Sequence, residues 1–242
     1  RLRAYRLAIG AWAQSGEVLY SAKAFFGLAM AHLLVEEDCG VDVVSGGELE
    51  IALRGGVPAA RIGFPGNNKS RAEVEAAAQA GVGHLVVDSE HELDLIATLP
   101  DGLRVRGLLR LSPGVDPDTH EYISTGRLDS KFGFSIENGS ALRALDRALG
   151  IACLDVAGVH MHIGSQILDA RSYERAIERV ACFLADAHAH LGFAAGMFSV
   201  GGGLGIAHTD KDDPSTVAEH MNAVTSAVID SFGKNGLALP AL

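Results

Sequence analysis

Lys23 is the residue of this 242-residue chain that is best suited to covalent chemistry. It ends an apolar run, residues 18–23, which we predict to be a β-strand. A lysine among apolar groups loses its proton more readily, because desolvation disfavours the ammonium, and the free amine forms imines with carbonyl compounds. On position alone, a second interpretation is stronger: the ammonium simply reaches solvent from the end of the strand. The residues at the ends of the other predicted strands must therefore show which interpretation of Lys23 is correct.

Two histidines end a later predicted strand, residues 156–163. His160 and His162 are two residues apart, so their side chains share one face of the strand. They could bind a metal ion, with His208 as a further ligand, or one could stack on a planar ligand while the other packs beneath it. Ligands are lacking at the neighbouring strand ends, so we predict no metal site.

Two further groups are suited to anions. Three successive glycines, Gly201, Gly202 and Gly203, follow the predicted strand 197–200. Glycine lets consecutive backbone amides approach an anion closely, and α/β barrels commonly bind phosphate after their seventh and eighth strands. Arg110 lies in so apolar a strand, residues 105–111, that its guanidinium requires an anionic partner, either a ligand or a structural carboxylate.

Three other polar residues follow or end strands less distinctively. Asp42 lies in the second predicted strand and could orient a histidine, or cap a helix. Lys69 closes a short polar stretch after the third strand, which is typical of an ordinary turn. His120 falls in a long polar loop, residues 116–131, and loops of this length often act as lids.

The elements that position these residues alternate regularly. Short apolar runs are separated by longer amphipathic patterns, which predicts parallel strands joined by crossover helices. The predicted strands are residues 18–23, 41–45, 61–64, 84–88, 105–111, 156–163 and 197–200, and the clearest helices are residues 70–80, 90–98, 140–149 and 170–191. Ser70 and Glu73 form a capping-box pattern, and Gly81 should end that helix. An unchanged pattern over seven units favours a TIM (β/α)8 barrel over an open doubly wound sheet. An eighth strand would begin at residues 237–242.

Composition narrows the functional classes. Hydrophobic residues make up 48% and charged residues 21% of the chain, which is typical of one globular domain. The net charge of −10 argues against a nucleic-acid partner. The longest apolar run, residues 24–35, is too short to cross a membrane, and we expect no signal peptide. An odd number of widely spaced cysteines, Cys39, Cys153 and Cys182, favours a reducing cytoplasm.

Taken together, these segments resemble the fold-type III pyridoxal phosphate-dependent decarboxylases. The resemblance is carried by residues 20–24, 41–49, 66–70, 131–133, 160–166 and 201–205, in the order in which that family has them. Residues 66–70 and 119–125 are similar to the diaminopimelate decarboxylase family in particular. The resemblance implies a barrel of the alanine racemase-like type and pyridoxal 5'-phosphate as the cofactor.

The resemblance also implies roles for individual residues. Lys23 would form a Schiff base with the cofactor, and His162 would stack on its ring with Asp42 supporting the histidine. Arg110 would contact the side of the ring that carries the hydroxyl. A phosphate site would be formed by Ser165 and by the three glycines, and Lys69 and His120 would contact the substrate.

The implied reaction is decarboxylation of meso-diaminopimelate to L-lysine in lysine biosynthesis, by a cytoplasmic homodimer. The family's Glu-Pro-Gly-Arg motif and its C-terminal β-domain are missing, as is a first strand, and Ser199 and Pro65 replace the aspartate and histidine common in the family. We therefore expect residues 1–242 to be the cofactor-binding barrel, truncated at both ends, without its eighth strand and weak or inactive by itself. Three alternatives stay open: an arginine or ornithine decarboxylase, a non-catalytic cofactor-binding barrel, and a metal-dependent hydrolase that uses His160 and His162.

Overall fold

The computed structural model describes residues 1–115, 132–210 and 212–242, and in these residues strands and helices alternate as predicted. The strands are β1 Leu19–Ser21, β2 Gly40–Asp42, β3 Ile62–Phe64, β4 His84–Val87, β5 Val105–Ser112, β6 Phe134–Ser135, β7 Leu154–Met161 and β8 Met197–Ser199. The α-helices are α1 Leu2–Ile9, α2 Leu28–Glu36, α3 Gly46–Arg54, α4 Arg71–Ala80, α5 Glu90–Ala97, α6 Ser140–Leu149, α7 Arg171–Leu191 and α8 Val217–Lys234.

The sheet is parallel throughout and follows chain order. Neighbouring strands pair in the order β1-β2-β3-β4-β5-β7-β8, and β6 pairs with the last residues of β5. In this order, the connection between each pair of neighbouring strands from β1 to β8 contains a helix, as parallel strands require. This arrangement confirms the predicted α/β barrel. The two-residue strand β6 was not predicted.

The two ends of the sheet meet through the last residues of the chain. The Phe198 backbone N–H donates to the carbonyl of Ala241 at 2.8 Å, and the Leu242 N–H donates to the carbonyl of Ser15 at 3.0 Å. The Glu17 N–H returns a bond of 2.8 Å to the Leu242 carbonyl. Residues 241 and 242 therefore lie between β8 and the segment before β1, where we predicted an eighth barrel strand to begin.

Several predicted strands extend too far, including 156–163, which ends at Met161 and leaves His162 just beyond β7. The ladder between β1 and β2 ends at the pair Ser21 and Asp42. Lys23 consequently lies in a short 3-10 helix, Ala22–Ala24, and not in the strand. Ser45 is not in β2 either, because its hydroxyl accepts the Glu48 N–H and caps α3.

Helix α4 begins and ends as predicted. The Ser70 side chain accepts the backbone N–H of Glu73, and the Glu73 carboxylate accepts the backbone N–H of Ser70 at 2.9 Å. Gly81 ends the helix in the left-handed conformation, at φ 67°. None of the helices in the described ranges is both long and apolar enough to cross a membrane.

The strands bury apolar side chains towards the helices and turn polar ones to the barrel interior. Val41, Ile62 and Leu85 are fully buried in the apolar core. Side chains alternate along a strand, so the residues next to them in β2 and β4, Asp42 and His84, point to the opposite side. Their register with Gly63 places them in one row across the interior.

Candidate active site

Lys23 lies at the opening of the barrel, directly after β1. Its side chain is exposed and forms no ion pair or side-chain hydrogen bond with the part of the chain that the structure describes. Its charge lowers the pKa of three groups, Asp42, His160 and His162. These groups stand on β2 and at the end of β7, so the ammonium lies near the polar side chains of the barrel interior.

Asp42 ends β2 and shares its space with His84 of β4. An oxygen of the Asp42 carboxylate and the Nε2 of His84 each lie less than 3.0 Å from the position that a Cβ on Gly63 would occupy. Only glycine therefore fits at position 63. Burial raises the pKa of Asp42 to about 7, against the effect of the Lys23 charge, and Glu17 raises it further. Asp42 thus changes its protonation close to neutral pH.

The two histidines at the end of β7 are held by different partners. The Nδ1 of buried His160 lies 2.8 Å from the Ser199 hydroxyl on β8. Burial, followed by the charge of Lys23, lowers the pKa of His162 to about 4, while a hydrogen bond with the Gly202 backbone opposes that shift. Both rings are therefore uncharged at neutral pH. The described structure shows no hydrogen bond between Asp42 and His162, and the supporting role that the resemblance implies for Asp42 stays a prediction.

The partner of Arg110 is a protein carboxylate. Its Nη1 lies 2.5 Å from Oδ1 of Asp88, which directly follows β4. The other carboxylate oxygen of Asp88 accepts the backbone N–H of Gly133 at 3.2 Å. The guanidinium also lies 4.7 Å from the ring centroid of Phe132. We predicted either a ligand or a structural carboxylate as the partner of Arg110. In the structure the partner is a structural carboxylate, Asp88.

In the glycine loop after β8, no side chain of the described residues blocks the approach of a ligand to the backbone. Gly201 and Gly203 have φ values of 75° and 117°, and a Cβ on either would collide with the backbone carbonyl of Met161 or Gly164. The Cβ position of Gly202, by contrast, has no atom within 4 Å. Open space beside consecutive backbone amides suits a phosphate group, so this loop fits the cofactor that the resemblance implies.

Ser165 lies close to this glycine loop through the backbone. Gly164 precedes it and contacts Gly203, while Ile167, two residues later, donates its N–H to the Gly203 carbonyl at 2.8 Å. The Ser165 side chain is exposed. The structure thus brings Ser165 and the three glycines into adjacent loops, as predicted.

Lys69 does not join the other predicted site residues. Its side chain is 1% exposed, and its Nζ lies 3.0 Å from a carboxylate oxygen of Glu92 on α5. The same ammonium donates to the carbonyls of Gly66 at 2.6 Å and Val86 at 2.8 Å. All three donors are used inside the protein, so this geometry contradicts the predicted substrate contact. His120, the other predicted substrate contact, lies outside the described residues.

The described residues offer no group of three or more His, Cys, Asp and Glu side chains arranged to hold a metal ion. His208 is exposed, and its backbone N–H donates to Asp212 at 2.9 Å. His160 is occupied by Ser199. The hydrolase alternative therefore has no structural support in these ranges.

Sequence reasoning missed several residues of this interior: His84, Asp88, Glu92 and Tyr173. A signal existed for two of them. Asp88 ends the predicted strand 84–88 and is a carboxylate at the same barrel edge as Arg110, and His84 is a polar residue inside an apolar run. Glu92 and Tyr173 lie on helices, where the sequence indicates no contact with the barrel opening.

Comparisons with known proteins identify the family of this chain. Residues 1–239 match the family described as "Pyridoxal-dependent decarboxylase, pyridoxal binding domain". The chain is 41% identical over 228 residues to the diaminopimelate decarboxylase of Halalkalibacterium halodurans, and 40% identical over 238 residues to that of Mycobacterium tuberculosis. These matches cover 93% and 96% of this chain, and 52% and 53% of the relatives.

A solved structure agrees as well. The diaminopimelate decarboxylase from m. jannaschii in co-complex with L-lysine superposes with a TM-score of 0.89 at 33% identity, over 100% of this chain and 55% of the other. The chain thus spans about half the length of the relatives that it matches. The predicted resemblance is confirmed: the chain belongs to the pyridoxal-dependent decarboxylases, and the matched region is their pyridoxal binding domain.

Proposed function

We propose that this chain is the cofactor-binding barrel of a decarboxylase that converts meso-diaminopimelate to L-lysine and carbon dioxide. The observation that carries the proposal is the position of Lys23, which is exposed, has no ion pair in the described structure, and lies two residues after Ser21, the β1 partner of Asp42. The identity of 40–41% with diaminopimelate decarboxylases supports this substrate.

Each predicted group has a task in holding pyridoxal phosphate. Lys23 supplies the amine to which the aldehyde carbon attaches. The glycine loop and Ser165 receive the phosphate, because open space adjoins Gly202. His162 packs against the ring. Arg110, which Asp88 holds on one side of its guanidinium, would contact the cofactor with the remaining N–H groups.

When bound, the cofactor supplies a conjugated ring that takes up the electron pair left at the α-carbon when carbon dioxide departs. The chain provides the surroundings. Uncharged His162 offers a flat surface without an ionic interaction of its own, because its pKa is about 4. Asp42, with a pKa of about 7, can hold or release a proton at its carboxylate near neutral pH, close to the amine of Lys23.

Several features of the whole protein belong to the same proposal. We infer that residues 1–242 act as one cofactor-binding domain, that the protein works as a homodimer, and that it resides in the cytoplasm. The three cysteines are unpaired, which suits a reducing compartment. Structures of lysine/ornithine and lysine decarboxylases, at 23% and 24% identity, support a shared fold alone.

Trapping of the cofactor tests the proposal directly. The chain is incubated with pyridoxal phosphate and reduced with borohydride, and the modified peptide is identified by mass spectrometry. We expect a pyridoxyl group on Lys23 in the wild type and none in Lys23→Ala. Lys234→Ala, which removes an exposed lysine at the end of α8, is the matched control and should be modified as the wild type is.

A wild-type chain that carries no pyridoxyl group, or carries it elsewhere, would rule out the assignment of Lys23. The substrate is tested separately, in a protein extended to the full length of its relatives, by carbon dioxide release from diaminopimelate, ornithine and arginine. Faster release from ornithine or arginine would contradict the diaminopimelate assignment.

A further inference from the structure

Two loops at the barrel opening lie side by side and are joined like a small parallel sheet. We call residues 162–167 the β7 loop and residues 200–206 the β8 loop. Ile167 donates its N–H to the Gly203 carbonyl at 2.8 Å and accepts the N–H of Gly205 at 2.9 Å. Ile167 and Leu204 form a parallel bridge. The loops that carry Ser165 and Gly202 therefore have a fixed register.

Gln166 adds a second connection through its side chain. Its Oε1 accepts the backbone N–H of Ile206 at 3.1 Å, and its Nε2 donates to the backbone carbonyl of the same residue. One amide thus satisfies both backbone groups of a single residue 40 positions away. A side-chain amide suits this pair of bonds, because it carries a donor and an acceptor on separate atoms.

The backbone of Gln166 is also unusual. Its φ is 59°, in the left-handed region, which in the described ranges only one other non-glycine residue, Asp38, adopts. Such a conformation is unfavourable for a residue with a side chain and persists where the surroundings hold it. Here it directs the amide towards the β8 loop, immediately after Ser165. The glycine loop is held from its other side by Tyr173, whose hydroxyl donates to the Gly202 carbonyl at 3.0 Å.

We propose that Gln166 is a positioning residue for the phosphate of the cofactor. It fixes the β8 loop against the β7 loop, so that Ser165 and the glycines form one phosphate site. This inference rests on the proposed function, because it assumes that the cofactor binds there. Gln166 needs no contact with the cofactor for this role, and its effect should be confined to the phosphate end.

A comparison of pyridoxal phosphate with pyridoxal, which lacks the phosphate, tests whether Gln166 acts only on the phosphate end of the cofactor. The fraction of Lys23 trapped by borohydride is measured against ligand concentration for the wild type, Gln166→Ala and Gln166→Gly. We expect the apparent dissociation constant of pyridoxal phosphate to rise about tenfold in both variants, because two hydrogen bonds are lost. The constant for pyridoxal should stay unchanged. Gln79→Ala, an exposed glutamine of α4, is the matched control and should behave as the wild type.

The glycine variant separates the side chain from the backbone. Glycine adopts the left-handed conformation freely, so a purely conformational role predicts wild-type affinity in Gln166→Gly, and that result would overturn the inference. Equal weakening of both ligands, or of neither, would overturn it as well. A wild-type chain that traps neither ligand at Lys23 would refute the proposed function and, with it, this inference.

Discussion

The surroundings of Lys23 and Lys69 differ although both lysines follow strands of the same barrel. Lys23 comes two residues after β1, is exposed, and has no ionic partner in the described ranges. Lys69 comes five residues after β3 and is buried, with Glu92 at 3.0 Å and two backbone carbonyls as acceptors. The same side chain is therefore structural at position 69 and, under the proposed function, reactive at position 23.

The difference shows that the partners of a lysine decide its chemistry. An ammonium whose three donors are all bonded inside the protein has no hydrogen left for a ligand. The carboxylates near the two lysines differ as well. Glu92 contacts Lys69 directly, whereas Asp42 has a raised pKa of about 7, because burial outweighs the charge of Lys23.

The largest expected effect is on stability. Replacing Lys69 by Met leaves Glu92 as a buried charge without its cation, which costs about 3–5 kcal/mol in the free energy of unfolding. Lys23→Met removes an exposed side chain and should change this free energy by no more than about 0.5 kcal/mol. Urea denaturation of the two variants and the wild type, without cofactor, measures both values.

A double variant separates the charge from the packing. Lys69→Met combined with Glu92→Gln removes the uncompensated charge and keeps a carbonyl oxygen that can accept the Asp88 N–H, which Glu92 now accepts at 2.7 Å. We expect it to recover most of the lost stability. A double variant as unstable as Lys69→Met would show that packing, and not the buried charge, is responsible.

A second effect on stability is expected in its pH dependence. The pKa of Asp42 is about 7 in the folded protein, against an ordinary value of 3.8. Between these values the folded protein binds more protons at this group than the unfolded chain does, so Asp42 makes the free energy of unfolding fall as pH rises. Asp42→Asn removes this contribution. The stability of the wild type relative to the variant should therefore decline across this window and level off above it.

Urea denaturation at several pH values checks this expectation. The difference between the two proteins isolates Asp42, because the histidines titrate in both. Parallel stability curves would mean that Asp42 is solvated well enough to keep its ordinary pKa, and that it resembles an exposed carboxylate more than a buried one.

The barrel itself could be predicted from the sequence, because its strands are apolar runs separated by amphipathic helices. Most site residues could be predicted as well, since the ends of parallel strands meet at one edge. Lys23, His162 and the glycines are examples. The prediction that Lys69 contacts the substrate failed for a physical reason. Its partner Glu92 lies 23 residues away on a helix, and a polar turn in the sequence suggests exposure to solvent and not burial.

Strand boundaries and pairings were less predictable. The length of β1 depends on where its partner strand ends, and the bond between Arg110 and Asp88 depends on the register of β4 and β5. Neither the end of a partner strand nor the register between two strands can be predicted from the sequence of one strand alone. Likewise, nothing in the sequence indicates that Tyr173 on α7 donates to Gly202, because this contact depends on how the helix packs.

The smallest expected effect is an electrostatic one on His162. Lys23 lowers the pKa of His162, whereas Lys69 is not among the groups that shift it. Removing the positive charge in Lys23→Met should therefore raise the pKa of His162 from about 4, while burial, the larger cause, keeps it below 6.5. NMR titration of the histidine rings in the cofactor-free protein measures the change, with Lys234→Met as the control that leaves it unaltered. An unchanged pKa in Lys23→Met would mean that solvent screens the ammonium from the ring. Lys23 would then lie too far from His162 to belong to the same site, and the contrast with Lys69 would no longer hold.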